Sequence, residues 1–416
     1  MSALSPDDVR RVNDRLLSAG QLLRKMPLDV RAAGVARVAA QLRAHGRAAK
    51  AGQPDAAVEL VAASAGLSVP MTAWAIETTA ARYEERGLLA LAEPLFARPD
   101  VLPVGASLVA VVLAGNVFSV ALRAIALPLL VGSPVLVKAS SRDPAFADVL
   151  VRTFGAVAPE LLPAVGVVTY GGGDDALDAA LVSRAEVVSV YGGRHAVEAF
   201  RTKAPGTARV VAHGHGMSFG LVTHDAFEGE LEPICAALAL DVAAYDGRGC
   251  LSPHAILVPR EGRVSPEELA RALARHGLEP IGRTLPRGPL VESAQAQQTQ
   301  WRSVAVARGF LHEGDDFSIS VEPSIRLSPG YRNIALVPYG TIADAMSLLA
   351  SFAIFAKAIG ITSAPGFVPA PLVSQLPTGC APRFVRAGTM QDPPLDALDD
   401  GLPALEGLVR YVEIRL

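Results

Sequence analysis

The chain contains 416 residues, more than a single hydrophobic core usually holds, so we expect two domains or one large α/β unit with insertions. Its formal net charge is −3 and its lysines and arginines are scattered, which argues against nucleic acid or an anionic lipid surface as a partner. Three cysteines are too few and too far apart for a disulfide framework or a thiolate zinc site, and the polar, acidic N-terminal segment is unlike a signal peptide. We therefore expect a cytoplasmic protein without a metal site.

The first predicted elements are helices, which occupy residues 5–95. Ser5 is followed by Pro6, Asp7 and Asp8. A hydroxyl can cap the unpaired amides of a helix, proline suits the first helical position, and acidic side chains favour the positive end of the helix dipole. These residues predict a helix that begins just after Ser5.

An apolar run from Ser107 to Val137 follows, and Arg123 is its only charge. The run is long enough to cross a bilayer, but Gly115-Asn116 and a Val-Gly-Ser turn divide it into a β-branched stretch, a stretch of helical length and a second short apolar stretch. This order is typical of two parallel strands joined by a helix and buried on both faces. We expect no membrane insertion.

The same alternation continues to residue 212. The predicted strands lie at residues 107–113, 134–138, 165–169, 186–191 and 208–212. The predicted helices lie at residues 118–130, 144–155, 174–182 and 194–203. Such alternation predicts a doubly wound parallel sheet of the α/β class, whose ligands gather at the carboxyl ends of the strands. The loops after these strands are therefore the first candidates for a site.

A second α/β unit is predicted after residue 222. Its predicted elements are a helix at 229–244, a strand at 255–259, a capped helix from Ser265 and an alternating terminal segment that can form a strand. We expect one domain over residues 1–222, including the helical N-terminal region, and a second over residues 223–388. Residues 389–416 form a tail that returns to the first domain or pairs with a neighbouring subunit.

Several loops after the predicted strands hold residues that suit a ligand. The side-chain amide of Asn116 can donate to a developing oxyanion, or the residue simply forms a turn. Lys138 can bond ribose or phosphate oxygens, or it reaches solvent. The segments YGGGDD and YGGRHA, the second of which contains Gly192 and Gly193, leave backbone amides and a helix N-terminus that can hold a phosphate.

Cys250 lies in the segment YDGRGCLSPH, between turn-forming glycines and a Ser-Pro step. Its local sequence leaves two alternatives, a nucleophilic thiol or a buried cysteine. Cys235 lies in an apolar helical segment and is interpreted as a core residue, whereas Cys380 lies in a turn.

Taken in order, these residues resemble the motif residues of the aldehyde dehydrogenase superfamily. The intervals, 22 residues from Asn116 to Lys138, 54 from Lys138 to Gly192 and 58 from Gly192 to Cys250, are close to those of that superfamily. The resemblance implies an oxyanion-binding role for Asn116, a cofactor-ribose contact for Lys138, a phosphate loop at Gly192 and Gly193, and a nucleophilic Cys250. It also implies an aldehyde dehydrogenase-like fold in which residues 1–222 bind NAD(P) and residues 223–388 form the catalytic domain.

Longer segments are similar to the fatty acyl-CoA reductases of bacterial bioluminescence, namely GNVFSVALRAIALPLLVGSPVLVKASSRDP, RGCLSPH and GCAPRFVRAGTM. That resemblance implies reduction of a long-chain fatty acyl-CoA to an aldehyde through an acyl-cysteine, in a homo-oligomer. Two alternatives stay open: an aldehyde dehydrogenase that releases an acid, and a non-catalytic scaffold of the same fold. The sequence itself does not indicate the acyl chain length.

His213 occupies the position where hydrolytic aldehyde dehydrogenases have the glutamate that activates water. Its presence implies slow hydrolysis of an acyl-enzyme, as a CoA-linked reductase requires. His213 or His215 can serve as a base, because histidine titrates near neutral pH, or both are solvated side chains of a glycine-rich turn. A metal site is disfavoured because no third ligand is in view.

The residues that follow Lys138 bear on the choice of cofactor. NAD-selective members of the superfamily tend to have a glutamate three residues after the ribose lysine, where this chain has Ser141 followed by Arg142. A hydroxyl and a guanidinium suit a 2′-phosphate better than a carboxylate does, so NADPH is favoured and NADH is possible. Arg142 could instead pair with Asp143 at the surface.

Overall fold

The computed structural model describes residues 4–214, 216–376 and 382–415. The chain divides into two compact units, the first comprising Met1–Ala65, Thr72–His215 and Pro394–Leu416 and the second comprising Gly66–Met71 and Gly216–Pro393. The passage between the units thus falls at residues 215–216, whereas the sequence analysis placed it after residue 222. The difference arises because residues 217–222 form a strand of the second unit's sheet.

The N-terminal region consists of five helices, α1 (Pro6–Lys25), α2 (Leu28–Lys50), α3 (Ala56–Ala65), α4 (Val69–Ala80) and α5 (Glu85–Ala92). The predicted helix start at Ser5 is confirmed. The hydroxyl of Ser5 accepts a bond from the Asp8 N–H at 3.2 Å, and the Asp8 carboxylate accepts one from the Ser5 N–H at 2.9 Å. Val9 and Leu16 of α1 are fully buried in the same core as the parallel sheet of the first unit.

A five-stranded parallel sheet is the centre of the first unit. Strand β1 (Val101–Gly105) precedes it, and its members are β2 (Val109–Val112), β3 (Val135–Ala139), β4 (Val165–Thr169), β5 (Val187–Tyr191) and β6 (Arg209–His213), in the order β4-β3-β2-β5-β6. The connecting helices are α6 (Val120–Leu130), α7 (Ala145–Val157), α8 (Asp175–Val182) and α9 (Arg194–Lys203). The predicted alternation is confirmed, and the apolar run of residues 107–137 contains β2, α6 and the first three residues of β3.

The second unit contains a seven-stranded sheet in the order β13-β12-β7-β8-β11-β10-β9. Its strands are β7 (Met217–Val222), β8 (Pro253–Pro259), β9 (Phe310–Glu313), β10 (Ser318–Val321), β11 (Asn333–Tyr339), β12 (Ala356–Thr362) and β13 (Arg383–Arg386). Its helices are α10 (Leu231–Ala243), α11 (Pro266–Leu273), α12 (Glu279–Thr284), α13 (Glu292–Arg308), α14 (Ile342–Leu349) and α15 (Ala370–Val373). All neighbouring strands are parallel except the edge strand β9, which is antiparallel to β10.

The C-terminal segment returns to the first unit. Its strand β14 (Val409–Glu413) pairs antiparallel with β1, from Val101 opposite Glu413 to Gly105 opposite Val409. Among the described residues no single helix is both long and apolar enough to cross a bilayer, although α3 and α4 meet that criterion as a pair bent by 106°.

A buried carboxyl joins α10 to the turn after β13. Asp241 is 1% exposed, and its two oxygens accept bonds from the N–H groups of Gly388, at 2.6 Å, and Met390, at 3.0 Å. Burial raises the pKa of Asp241 to about 7, because the two backbone bonds only partly offset the loss of hydration.

We expect Asp241 to make the second unit more stable at acidic pH. The folded state binds a proton between the ordinary aspartate pKa of 3.8 and about 7, whereas the unfolded state does not. The stability from this group is therefore fully present below pH 4 and is lost as the pH rises through about 7. The unfolding free energy of wild type minus that of Asp241→Asn should fall by roughly 2–4 kcal/mol from pH 4 to pH 8, because only the wild type has the carboxyl that ionises. Both free energies are measured by denaturant unfolding. If this difference stayed constant over the range, it would contradict the raised pKa of Asp241.

Candidate active site

The loops that follow β2 and β3 lie against each other at the carboxyl edge of the first unit's sheet. A Cβ atom on Gly115 would lie only 2.4 Å from the hydroxyl oxygen of Ser140, so the loop that carries Asn116 depends on a glycine for this approach. Ser141 and Arg142 are exposed in the adjacent turn. The structure thus brings Gly115, the residue before Asn116, against Ser140 and also against Arg142, whose Cβ would lie 3.2 Å from a Cβ on Gly115.

Lys138 is buried at the end of β3 rather than extended into solvent. Its exposure is 7%, its Nζ donates to the backbone carbonyl of Tyr170 at 3.4 Å, and the same atom lies 4.6 Å from the centre of the Tyr170 ring. Burial lowers the pKa of Lys138, and the carboxylate of Asp178 opposes that effect. The Tyr170 hydroxyl in turn donates to Asp178 at 2.9 Å. Tyr170 and Asp178 therefore fix the position of the lysine, and the sequence analysis assigned neither of them a role.

The glycines after β5 leave the N-terminus of α9 open. Gly193 caps this helix without a side-chain hydrogen bond, and among the described residues nothing beyond its chain neighbours lies within 4 Å of a Cβ built on it. The first turn of α9 contains no acidic residue, and the Gly192 N–H donates to the carbonyl of His213 at 3.3 Å. An open helix N-terminus without a competing carboxylate suits the phosphate that the sequence analysis expected here.

His213 ends β6 and is held by two residues of β5. Its Nε2 shares a hydrogen bond of 3.1 Å with the hydroxyl of Ser189, and its ring stacks on Tyr191 with 4.0 Å between ring centres and 9° between planes. The imidazole is partly buried and lines a cavity of about 750 Å³. His215, the other histidine considered, lies outside the described residues.

Cys250 is exposed on a turn that precedes β8. The Ser252 N–H donates to the carbonyl of Gly249 at 3.0 Å, the Ser252 hydroxyl accepts from the Gly249 N–H at 3.2 Å, and the Gln391 amide donates to that hydroxyl at 3.1 Å. The buried hydroxyl of Ser218 donates to the carbonyl of Cys250 at 2.8 Å. The turn is thus fixed through its backbone while the thiol is exposed.

Behind this turn, two loops with unusual backbone geometry are joined by an ion pair. Tyr245 and Asp246 have φ values of 52° and 54°, and Tyr331 and Arg332 have values of 53° and 63°. Residues other than glycine rarely adopt this left-handed backbone region. The fully buried guanidinium of Arg332 donates to the Asp246 carboxylate at 3.1 Å, and that carboxylate also accepts from the Gly288 N–H at 3.0 Å. These bonds hold the strained backbone that leads into the Cys250 turn.

The other two cysteines differ from Cys250. Cys235 is fully buried on α10, and burial raises the pKa of its thiol to about 12, which agrees with its interpretation as a core residue. Cys380 lies outside the described residues.

The serines and the glutamine that support the Cys250 turn could not be identified from the sequence. Ser218 and Gln391 are separated from their partners by 32 and 139 residues, so no local pattern indicates these bonds. The Ser-Pro step at Ser252 was noted only as a turn signal. Cys250 also lies before its strand, at the amino edge of the sheet, and not at the carboxyl ends where ligands of parallel sheets are expected.

Comparison with known proteins agrees with this architecture. The family model for acyl-CoA reductase (LuxC) matches residues 102–411. A long-chain acyl-protein thioester reductase 2 from Photobacterium leiognathi is 28% identical over 147 residues, which cover 35% of this chain and 30% of that protein, so the match spans less than a third of the relative's length.

Two solved structures show the fold. An aldehyde dehydrogenase from Brucella melitensis biovar abortus 2308 matches with a TM-score of 0.78 at 15% identity, covering 100% of this chain and 91% of that one. The NADP-dependent glyceraldehyde-3-phosphate dehydrogenase from Bacillus halodurans C-125, complexed with NADP, matches with a TM-score of 0.76 at 14% identity. The match covers 100% of this chain and 93% of that one. The predicted aldehyde dehydrogenase-like fold is therefore confirmed. The chain belongs to the acyl-CoA reductase (LuxC) family.

Proposed function

We propose that this enzyme reduces a long-chain fatty acyl-CoA thioester to the aldehyde with NADPH, through an acyl-cysteine on Cys250. The observation that carries the proposal is the exposed Cys250 thiol on a turn fixed by Ser218 and Ser252, in a chain of the acyl-CoA reductase family. The long-chain preference rests on the name of the Photobacterium leiognathi relative and on the sequence resemblance.

The reaction begins at Cys250. Its thiolate attacks the thioester carbonyl carbon, the bond from that carbon to the CoA sulfur breaks, and CoA leaves as a thiolate that takes up a proton. We assign the side-chain amide of Asn116 and the backbone N–H of Cys250 to the oxyanion that forms during the attack. After reduction, the thiohemiacetal on Cys250 loses its hydroxyl proton and expels the cysteine thiolate, which releases the aldehyde.

Residues of the first unit suit NADPH. The open N-terminus of α9 at Gly192 and Gly193 would hold a phosphate, and the ammonium of Lys138 has two N–H donors beyond the one bonded to Tyr170, which suit ribose hydroxyls. The exposed side chains of Ser141 and Arg142 would contact the 2′-phosphate. When bound, NADPH supplies the hydride that reduces the acyl-cysteine.

His213 supports reduction over hydrolysis. It replaces the water-activating glutamate of the hydrolytic aldehyde dehydrogenases, and its Nε2 is engaged by Ser189. We assign His213 as a proton donor or acceptor during the reaction. Its Nε2 would have to give up the bond to Ser189 before that atom could take a proton from water.

We further propose a cytoplasmic homo-oligomer. The cysteine usage suits a reducing compartment. The ribbon of β1 and β14 exposes Leu102, Tyr411 and Val412 by 49%, 47% and 51%, which gives it an apolar edge that suits pairing with a second subunit.

The direction of the reaction is tested with purified protein and hexadecanoyl-CoA. We expect the absorbance of NADPH to fall and hexadecanal to accumulate in equal amount, because each thioester consumes one hydride donor. If NADPH is stable with every acyl-CoA while aldehydes reduce NAD(P)⁺, the enzyme is an aldehyde dehydrogenase that releases an acid.

The nucleophile is tested by an acyl trap. Wild type incubated with radiolabelled hexadecanoyl-CoA in the absence of NADPH should retain about one hydroxylamine-sensitive label per chain, because hydride is needed to discharge the thioester. Cys250→Ala should retain none, and Cys235→Ala, which removes the buried thiol, should label like wild type. An unlabelled wild type would favour a non-catalytic scaffold, and a labelled Cys250→Ala would place the nucleophile elsewhere.

Selection of NADPH is tested at Arg142. We expect Arg142→Ala to raise the KM for NADPH about tenfold and to leave that for NADH unchanged, because a charge-assisted bond to the 2′-phosphate is lost. Arg184→Ala removes an exposed arginine after α8 and serves as the control. Equal KM changes for the two cofactors in Arg142→Ala would show that this side chain does not contact the 2′-phosphate.

A further inference from the structure

Arg31 of the first unit is a buried cation without a counter-charge among the described residues. Only 8% of the residue is exposed. Its Nε is enclosed with no hydrogen-bond partner, and the guanidinium forms no ion pair with the part of the chain that the structure describes. Burial lowers the pKa of Arg31, and no described carboxylate acts in the opposite direction. Such a charge is costly until a partner compensates it.

The place of Arg31 on α2 adds to this cost. The residue lies in the first turn of the helix, where the helix dipole favours negative charge and disfavours a cation. The capping residue, Pro27, provides no side-chain hydrogen bond to the helix. Asp29 is the acidic residue of the turn, but it is exposed and its carboxylate accepts from the Val30 N–H at 2.9 Å. The positive helix end and the charge of Arg31 therefore reinforce each other.

The guanidinium of Arg31 lies against the turn that follows α6. A Cβ atom on Gly132, whose φ is 84°, would clash with Nη1 of Arg31. The carbonyls that end α6 already have donors, because the N–H groups of residues 131–133 bond to the carbonyls of residues 127–129 at 2.9 to 3.3 Å. The end of α6 is thus capped by its own backbone, and Arg31 is not needed there as a cap.

A second arginine reaches the same glycine. Arg24 belongs to the last turn of α1, and its Cγ lies 3.5 Å from the position of a Cβ on Gly132. Its side chain is exposed, and within the described ranges no carboxylate pairs with it. One enclosed and one exposed arginine therefore converge on Gly132.

This pair of arginines is separate from the proposed cofactor site. Gly132 precedes β3, so the pair lies at the amino edge of the first unit's sheet. The loops that carry Asn116 and Arg142 follow β2 and β3, and the open N-terminus of α9 follows β5. Those loops all lie at the opposite, carboxyl edge of the same sheet.

We propose that Arg31 and Arg24 form a binding site for a phosphate group. A phosphate carries up to two negative charges and several acceptor oxygens, which suits two guanidinium groups beside a helix N-terminus. The group belongs either to the free ion or to a phosphate monoester, since both present the same oxygens. When bound, it supplies the counter-charge that Arg31 lacks and thereby stabilises the folded first unit.

Binding is measured by calorimetry on the full chain, with inorganic phosphate and glycerol-3-phosphate as probes at an ionic strength held constant with chloride. We expect Arg31→Met to weaken phosphate about tenfold or more and Arg24→Gln about threefold, because each loses charge-assisted bonds. Arg15→Gln removes an exposed arginine of α1 and should bind like wild type, as should Arg142→Ala at the other edge of the sheet. Tighter binding of the ion or of the ester identifies the source of the phosphate.

Thermal unfolding guards against a variant that merely misfolds. In chloride alone, Arg31→Met should unfold at a temperature no lower than wild type, because an apolar chain of similar length replaces an uncompensated charge. Added phosphate should raise the unfolding temperature of wild type and of Arg15→Gln, and it should leave that of Arg31→Met unchanged.

The proposal is wrong if wild type binds neither probe, if Arg31→Met and Arg24→Gln bind both probes like wild type, or if Arg142→Ala is the variant that loses the phosphate. A lower unfolding temperature of Arg31→Met in chloride, together with unchanged binding in Arg24→Gln, would make Arg31 a cation that serves the fold alone. None of these measurements uses acyl-CoA or NADPH, so their outcome is independent of the proposed reaction.

Discussion

Parallel pairing of β2 with both β3 and β5 is the constraint on which the first unit depends. All four residues of β2 are buried and all four are valine or alanine, since a central parallel strand is covered on both faces and has no exposed side for polar residues. Polar side chains are therefore excluded from β2. Lys138 and His213 lie at the ends of β3 and β6, and Asn116 lies in the loop after β2. All three positions are on the carboxyl side of the sheet because the strands run in the same direction.

The second unit places its reactive residue by a different means. Cys250 precedes β8, so the position of its thiol is set by the turn itself, with the carbonyl of Cys250 tied to Ser218 on the neighbouring strand β7. The backbone immediately upstream passes through left-handed residues at Tyr245 and Asp246, a conformation that costs of order 1–3 kcal/mol for each residue. The buried pair of Asp246 with Arg332 holds this backbone in place together with two further bonds, from the Gly288 N–H to Asp246 and from Arg332 to Asp316.

Elements governed by local patterns could be predicted, and contacts between distant segments could not. The strand predicted at 165–169 coincides with β4, and the helix predicted at 194–203 coincides with α9, because burial on both faces and the glycine loops act over a few residues. The antiparallel edge strand β9 has no comparable signal. The same division holds in the site: Lys138 was found from its place at a strand end, but its bond to Tyr170, 32 residues away, depends on β3 and β4 being neighbours.

The environment of His213 links the fold to the proposed chemistry. Its ring stacks on Tyr191 and bonds Ser189, and both partners belong to β5, the strand paired with β6. Register fixes this arrangement, since Tyr191 lies opposite His213 in the ladder. One face of the imidazole is thereby shielded from water, and Nε2 already has a hydrogen-bond partner. Nε2 would have to break its bond to Ser189 before it could take a proton from water, and this cost would favour hydride transfer over hydrolysis of an acyl-cysteine.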